Sequence, residues 1–218
     1  MNCYLCDRMM SPQVSWRSIF FNELEEVICL RCRTGFERTA AGCPICSAPG
    51  EGKCLNCSQW ETTEYAGVID SGKSLYRYNH SMKEFLHQYK FLKDVVLSEV
   101  FASVLKEECG KQHSVIVPIP MNEVKLKERT FPQVDRLLDA ASIPYTHCLG
   151  KNEIGLGEKT KSERVALQDV FWWNGQAVPE KVLLFDDLYT TGSTMRLAAK
   201  VLKEKGAKEI KILTLIRA

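Results

Sequence analysis

Two adjacent acidic residues, Asp186 and Asp187, follow a short apolar segment and precede a segment rich in hydroxyl groups. The apolar run 182–185 is typical of a strand that is buried on both faces of a parallel sheet. After the acids, the chain carries Thr190, Thr191, Gly192, Ser193 and Thr194. Residues 195–205 then have apolar side chains at helical spacing, and Gly206 predicts the end of that helix. The order predicts a strand, a small-residue loop and the start of a helix.

The loop at the start of this helix is suited to a phosphate group. Free backbone N–H groups, the helix dipole and the hydroxyl groups all favour an anion there. Two carboxylates beside a phosphate would repel it unless they face hydroxyl groups or a cation. A ribose 5-phosphate meets both demands, because its phosphate fits the loop while its 2- and 3-hydroxyls donate to Asp186 and Asp187. The alternative is structural, with the acids capping a turn and Ser193 or Thr194 capping the helix.

The cysteines are concentrated near the N-terminus, where eight of the ten lie within the first 57 residues. They form the C-x-x-C pairs Cys3/Cys6, Cys29/Cys32, Cys43/Cys46 and Cys54/Cys57. A two-residue spacer lets both sulfurs face one ion, so two pairs supply four thiolates for a tetrahedral Zn²⁺. We therefore predict a zinc-binding domain over residues 1–62. The number of ions stays open, because sequential pairing and an interleaved cross-brace use the same cysteines.

The cysteine-rich segment is too short to bury a large core, so metal binding should supply much of its folding free energy. It either binds a partner protein or single-stranded nucleic acid, or it is a structural appendage. Cys109 and Cys148 belong to no pair, and we expect both to be small buried apolar residues.

The segment 182–194 resembles the 5-phosphoribosyl-1-diphosphate (PRPP) signature of type I phosphoribosyltransferases. Together with the cysteine-rich segment, it makes the chain similar to the ComF family of late-competence proteins. The resemblance implies an α/β fold over residues 63–218, with a parallel sheet flanked by helices. It also implies that Asp186 and Asp187 bind the ribose hydroxyls and serve catalysis. Residues 190–194 would hold the 5-phosphate, and Mg²⁺ would accompany PRPP.

A second apolar segment, 113–120, is expected to form a strand that ends in a rigid turn at Pro118, Ile119 and Pro120. In the family, this turn is the diphosphate loop. Downstream, ComF-like chains typically read R-G-F-N-Q, whereas residues 129–133 read R-T-F-P-Q. Arg129 therefore matches, and we assign it to the diphosphate loop.

Several basic residues are candidates for contacts with single-stranded DNA, and the alternative is that they are solvated charges. They are Lys125, Lys127, Lys159, Lys161 and Arg164. We expect Lys125, Lys127 and Arg129 to lie before a helix that carries Val134, Leu137 and Leu138. The adjacent Trp172 and Trp173 are expected to pack against the protein rather than to stack on a base.

Three further elements precede the second apolar segment. Two short strand-like runs around Gly72 and Lys73 predict a hairpin. Ser81 and Glu84 form a capping-box pattern at the start of a helix. Apolar residues at helical spacing predict a second helix over 97–105.

Composition limits the function classes. The chain has 218 residues, of which 45% are hydrophobic, and a formal net charge of +2. A globular protein is therefore expected, without the overall basic charge typical of many nucleic-acid-binding proteins. We predict a cytoplasmic protein without membrane insertion, because no apolar run is long enough for a membrane helix and no signal peptide is apparent.

Two functions follow from the resemblance. The first is a factor for uptake or handling of single-stranded DNA in natural transformation, working with a helicase-like ATPase and keeping a ribose-phosphate site. The second is an active Mg²⁺-dependent phosphoribosyltransferase with an unidentified acceptor. A further alternative is that the cysteine-rich segment alone contacts the ATPase and the sheet is a scaffold.

Overall fold

The computed structural model describes residues 1–10, 26–152 and 170–218, and every structural statement below refers to them. The six strands of the described chain are β1 Ser71–Arg77, β2 Val115–Pro118, β3 Leu149–Lys151, β4 Phe171–Trp173, β5 Lys181–Tyr189 and β6 Glu209–Arg217. Four of them form one sheet in the order β1-β6-β5-β2, and all neighbours in it are parallel. Strands β3 and β4 form a separate antiparallel pair.

The α-helices of the described chain are α1 Leu30–Thr34, α2 Leu55–Trp60, α3 His80–Lys90, α4 Ala102–Gly110, α5 Glu123–Arg129, α6 Gln133–Ala140 and α7 Ser193–Glu204. A 3-10 helix, Val95–Phe101, leads directly into α4. None of these helices combines the length and the apolar character that crossing a membrane requires.

Both faces of the parallel sheet are covered. On one face, α3, the 3-10 helix, α4 and α6 pack against alternate strand residues such as Phe185 and Leu215. On the other face, α7 packs against Leu184 and Ile212, next to the residues around Cys43 and Cys57. This burial explains the continuous apolar runs of β5 and β6, because a strand covered on both faces has no polar side. The predicted fold class, a parallel sheet flanked by helices behind a cysteine-rich segment, is confirmed.

The predicted hairpin around Gly72 and Lys73 is wrong. Residues 71–77 form the single strand β1, which pairs in parallel with β6. Gly72 is needed for close approach rather than for a turn. Its N–H donates to Pro44 O at 2.8 Å, and a Cβ at this position would lie 2.3 Å from Ile45 O. The glycine therefore lets the cysteine-rich segment lie directly on the edge of the sheet.

Two helix starts also differ from the predictions. Helix α3 is capped by Asn79, whose side chain accepts from the Met82 N–H at 3.0 Å, and not by a box of Ser81 and Glu84. An asparagine amide oxygen reaches the third N–H of a helix just as a serine hydroxyl does. Over 97–105, the helix is 3-10 until Phe101 and α-helical afterwards.

The basic residues at 125–129 lie before α6, the helix that carries Val134, Leu137 and Leu138, as predicted, and they belong to a further helix that was not predicted. Helix α5 contains Lys125, Lys127 and Arg129, and it ends at Thr130, which has a φ of 71°. This left-handed residue separates α5 from α6. The end of α7 is as predicted, at Glu204 before Gly206 with a φ of 112°. The domain boundary near residue 62 stays a prediction.

Candidate functional site

A cleft of about 270 Å³ lies beyond the carboxyl ends of β2 and β5. In parallel sheets, this edge is where ligands bind. The predicted site residues that line the cleft are Ile119, Pro120, Lys125, Arg129, Asp186, Asp187, Thr190 and Thr194. The predicted residues that do not line it are Pro118, Lys127, Thr191, Gly192 and Ser193. Lys159, Lys161 and Arg164 lie outside the described residues.

The two acids lie within β5, which continues through them to Tyr189. The Asp187 N–H donates to Asp186 Oδ1 at 2.9 Å, and Asp187 Oδ2 forms an ion pair with Lys90 Nζ at 2.5 Å. Burial raises the pKa of Asp186 to about 7, and the charge of Asp187 acts in the same direction, while Lys90 and Lys151 oppose the shift. The cleft therefore brings two adjacent carboxylates, which suit hydroxyl donors or a cation, together with the basic residues Lys90, Lys125, Arg129 and Lys151.

Gln133, the first residue of α6, lines the cleft with a side chain that is only partly satisfied. The residue is 3% exposed, and its Oε1 accepts from Arg129 Nη1 at 3.1 Å. Its Nε2 has no hydrogen-bond partner within the described ranges. A buried donor without a partner costs free energy, so an acceptor on a ligand that reached this N–H group would be stabilising. The Arg129 guanidinium also lies 4.9 Å from the centre of the Phe91 ring.

Sequence reasoning did not assign several residues that line the cleft, among them Lys90, Gln133 and Lys151. Gln133 belongs to the segment that matches the family pattern, so this signal was present. Lys90 ends α3 and Lys151 ends β3, and neither belongs to a motif. Burial lowers the pKa of Lys151, while the charge of Asp186 opposes that shift. Only the tertiary structure brings these cations to the acids.

The predicted phosphate loop leads into α7, a helix of 12 residues. Gly192 is its N-cap with a φ of 81°, and the Thr191 and Ser193 hydroxyls lie 2.8 Å apart. The first N–H groups of a helix have no partner within the helix and are free for an anion. The loop is also held from outside, because Trp60 Nε1–H donates to Thr191 O at 3.0 Å.

The eight paired cysteines form two clusters, in each of which all four sulfurs lie within 4.8 Å of one another. The first cluster is Cys3, Cys6, Cys29 and Cys32, and the second cluster is Cys43, Cys46, Cys54 and Cys57. The pairing is therefore sequential and not interleaved. Four sulfurs at this spacing are the donor set of a structural zinc site, so each cluster could hold one Zn²⁺.

The second cluster is the more buried of the two. Hydrogen bonding from Cys46 lowers the pKa of Cys57 to about 4 against the opposing effect of burial, and Tyr189 and Arg196 also lower it. The environment thus favours a thiolate at Cys57, which is the form that binds a metal.

Cys109, Cys148, Trp172 and Trp173 contact other parts of the protein. Cys109 and Cys148 are buried among apolar residues. Trp172 lies across Gly150, where an added Cβ would come within 2.2 Å of its ring. Trp173 donates its indole N–H to Gln176 O at 2.7 Å. Both indoles nevertheless keep about half of their surface exposed, at 49% and 40%.

Curated relatives match the chain over its full length. It is 36% identical over 223 residues to "Competence protein ComFC" of Streptococcus pneumoniae, covering 100% of both chains. It is 34% identical over 227 residues to the protein of the same name from Bacillus subtilis, covering 99% of this chain and 95% of the relative. The chain belongs to the ComFC family.

The C-terminal part of this ComFC family member, residues 179–218, also matches the phosphoribosyl transferase domain family. That match contains β5, the loop after it, α7 and β6. Among solved structures, the allosteric regulatory enzyme of purine biosynthesis aligns with a TM-score of 0.40 and 18% identity over 60% of this chain and 30% of its own. A hypoxanthine phosphoribosyltransferase from Staphylococcus aureus aligns with a TM-score of 0.34 and 15% identity, covering 58% and 62%. The predicted family is confirmed by the full-length relatives.

Proposed function

We propose that the protein is a competence factor of natural transformation whose cleft binds a 5-phosphoribosyl ligand, PRPP with Mg²⁺. The observation that carries this proposal is the meeting of three groups in one cleft. These are the acid pair Asp186 and Asp187, the loop threonines Thr190 and Thr194, and the basic residues Lys125 and Arg129. Each group matches one part of the ligand, namely the ribose hydroxyls, the 5-phosphate and the diphosphate.

The electrostatics of the cleft support a ribose rather than a deoxyribose. Two hydroxyls that donate to Asp186 and Asp187 would satisfy carboxylates that are otherwise crowded together. The 5′-terminal nucleotide of a DNA strand has no 2-hydroxyl, and its 3-oxygen is part of the backbone, while the 3′-terminal nucleotide offers only its 3-hydroxyl. No DNA end therefore supplies both donors for the acids, so we assign the cleft to a free ribose phosphate and DNA to the basic residues outside it.

Mg²⁺ fits the donor set of the cleft. Asp186 and Asp187 offer adjacent carboxylate oxygens, the kind of ligand that this cation takes. When bound with PRPP, Mg²⁺ would neutralise charge on the diphosphate. The chain's own residues hold the ligand. Asp186 and Asp187 orient the ribose, while Lys125 and Arg129 face the diphosphate.

Turnover is the alternative function of the same site. A nucleophile would displace diphosphate at C1 of the ribose, and the two aspartates would stabilise positive charge that develops on the sugar ring. No residue of the described cleft has been assigned to an acceptor, so we favour the role in handling single-stranded DNA. A helicase-like ATPase as partner and a cytoplasmic location stay predictions.

Isothermal titration with PRPP and Mg²⁺ tests the ligand. The Asp186→Asn, Asp187→Asn double variant keeps the shape of the cleft and removes both charges, and Glu99→Gln on the exposed surface of the 3-10 helix is the matched control. We expect saturable binding by the native protein and the control, and a loss of at least about a hundredfold in the double variant, because two charge-assisted hydrogen bonds disappear. Absence of binding by the native protein would refute the assignment of PRPP as the ligand.

Fluorescence anisotropy with a labelled single-stranded oligonucleotide tests the DNA role. Lys127→Ala, outside the cleft, should weaken binding and reduce its salt dependence, because this charge would neutralise a phosphate. Lys181→Ala removes one charge at the opposite edge of the sheet and serves as the control. Equal effects of the two variants would contradict DNA binding at α5. Release of diphosphate from PRPP in the presence of candidate acceptors decides whether the protein is also an enzyme.

A further inference from the structure

We propose that the second cluster positions the loop 190–194 through Arg196 and Trp60, so that the metal held by this cluster controls the conformation of the ligand-binding loop. This inference goes beyond the proposed function, since it assigns a role in the cleft to a cysteine cluster that does not line it.

A continuous polar chain joins the second cluster to the loop. Cys57 Sγ lies 3.6 Å from the Tyr189 hydroxyl, and Arg196 Nη1 donates to that hydroxyl at 2.8 Å. The same Arg196 Nη1 reaches Gly192 O at 3.4 Å. This series of polar contacts therefore begins at Cys57, a metal ligand, and ends at the backbone carbonyl of Gly192 in the loop.

The charges of the second cluster and of the arginines beside it stabilise each other. Arg196 is 2% exposed, and no carboxylate of the described residues forms an ion pair with it. Four thiolates and one Zn²⁺ sum to two negative charges, and Arg196 connects to Cys57 through the Tyr189 hydroxyl. A second guanidinium, that of Arg217, lies 5.3 Å from the centre of the Tyr189 ring. A buried charge without a partner is costly, so the loaded cluster and these two arginines stabilise one another.

Helix α2 forms a second connection between the cluster and the loop. It contains the metal ligand Cys57, and Trp60 follows three residues later on the same helix face. Trp60 Nε1–H donates to Thr191 O at 3.0 Å, and the Arg196 guanidinium lies 5.0 Å from the centre of the Trp60 ring. A helix of six residues is not stable alone in water, so its position depends on the cluster that holds it.

The loop has little freedom while these groups are in place. Gly192 has a φ of 81°, and a Cβ there would lie 2.1 Å from the Tyr189 oxygen and 2.2 Å from Arg196 Nη1. The backbone of the loop thus packs directly on the polar chain, and a shift of Arg196 or Tyr189 changes the space available to it. By contrast, Arg33 beside the first cluster is exposed and pairs with Glu26.

Amide hydrogen exchange of residues 190–195 in the zinc-loaded full chain tests the coupling without any ligand. Trp60→Phe keeps an aromatic ring but removes the indole N–H donor. Trp173→Phe is the matched control, since the Trp173 indole N–H donates to Gln176 O and not to the loop. We expect exchange about tenfold faster in Trp60→Phe at unchanged zinc content, the effect of one lost hydrogen bond, and native exchange in Trp173→Phe. Equal exchange in both variants would overturn the proposal.

Cysteine variants test the metal itself. Cys54→Ser removes a ligand of the second cluster, and Cys6→Ser removes one of the first. Each should lose zinc, but only Cys54→Ser should speed exchange at 190–195 and weaken PRPP binding. Faster exchange in both to the same extent would refute a specific link. Should the native protein fail to bind PRPP, the proposed ligand fails, while the exchange data still decide the coupling.

Discussion

Lys90 Nζ lies 2.5 Å from Asp187 Oδ2, and this ion pair joins the last residue of α3 to the second acid of β5. The two side chains are only 15% and 11% exposed. Lys90 therefore compensates the negative charge of a largely buried carboxylate. The pair places a cation from one helix layer at the floor of the cleft.

Replacing Lys90 with methionine should destabilise the protein. Asp187 would remain as a buried charge without its partner, and we expect the free energy of unfolding to fall by about 2 kcal/mol. Urea denaturation measures the change. Lys83→Met, on the exposed side of the same helix, is the control and should change stability by less than about 0.5 kcal/mol. Similar losses in both variants would show that the ion pair stabilises nothing.

Ligand binding should depend on pH through Asp186. Its pKa is raised from 3.8 to about 7, so the carboxyl is largely protonated at pH 6 and must release its proton to accept ribose hydroxyls or to face Mg²⁺. Affinity for PRPP with Mg²⁺ should therefore rise between pH 6 and 8, with proton release on binding. Titration calorimetry in buffers of different ionisation enthalpy measures that release.

The Asp186→Asn variant separates this effect from titration of the ligand's own phosphate, which remains. Equal proton release in the native protein and the variant would rule out Asp186 as the source. Without ligand, the stability of the protein should change with pH in the opposite direction to the affinity. The folded state keeps a proton that the unfolded chain has lost, so stability should fall as the pH rises through the interval from 3.8 to about 7.

Gln133→Leu should weaken ligand binding more than it weakens the fold. The variant removes a buried N–H group that has no partner in the described chain and one hydrogen bond from Arg129. We expect stability to change by less than about 1 kcal/mol and PRPP affinity to fall about tenfold, because a donor to the ligand is lost. Urea denaturation and calorimetry on the same samples measure both. A large loss of stability with native affinity would identify Gln133 as purely structural.

Thr130→Gly should stabilise the protein by about 1 kcal/mol. Thr130 has a φ of 71° at the end of α5, a conformation in which glycine avoids the steric cost of a Cβ. It stands where ComF-like chains typically carry glycine, so the structure gives a physical reason for that pattern. Thr130→Ala loses the same hydroxyl but keeps the Cβ, and it should not stabilise. A gain in both variants would mean that the hydroxyl, not the backbone, is the cause.

The strand, the acids, the loop and the following helix could be predicted from residues 182–194 because these parts are consecutive. The role of Gly72 could not be predicted, since the sequence does not distinguish a glycine in a turn from a glycine at a close backbone contact. Gly72 is needed because Pro44 O and Ile45 O, which belong to another segment, lie against it. The local sequence pattern therefore identified most elements, but it mistook β1 for a hairpin because the role of Gly72 depends on residues distant in the sequence.

The site shows the same division. Asp186, Thr190 and Thr194 were identified from their motif. Lys90 and Lys151 reach the cleft from elements far away in the chain, and no local pattern marks them. The pairing of the cysteines was equally open, because C-x-x-C spacing fixes which sulfurs form a pair but not which pairs share an ion. Packing of the chain decided it.

A crystal structure of the zinc-loaded protein with PRPP and Mg²⁺ would show directly whether the cleft binds PRPP. We predict ribose hydroxyls within hydrogen-bond distance of Asp186 and Asp187, and the 5-phosphate on the backbone N–H groups of residues 190–194. A 5-phosphate bound at Lys125 and Arg129 instead, or PRPP bound away from the acid pair, would contradict this prediction.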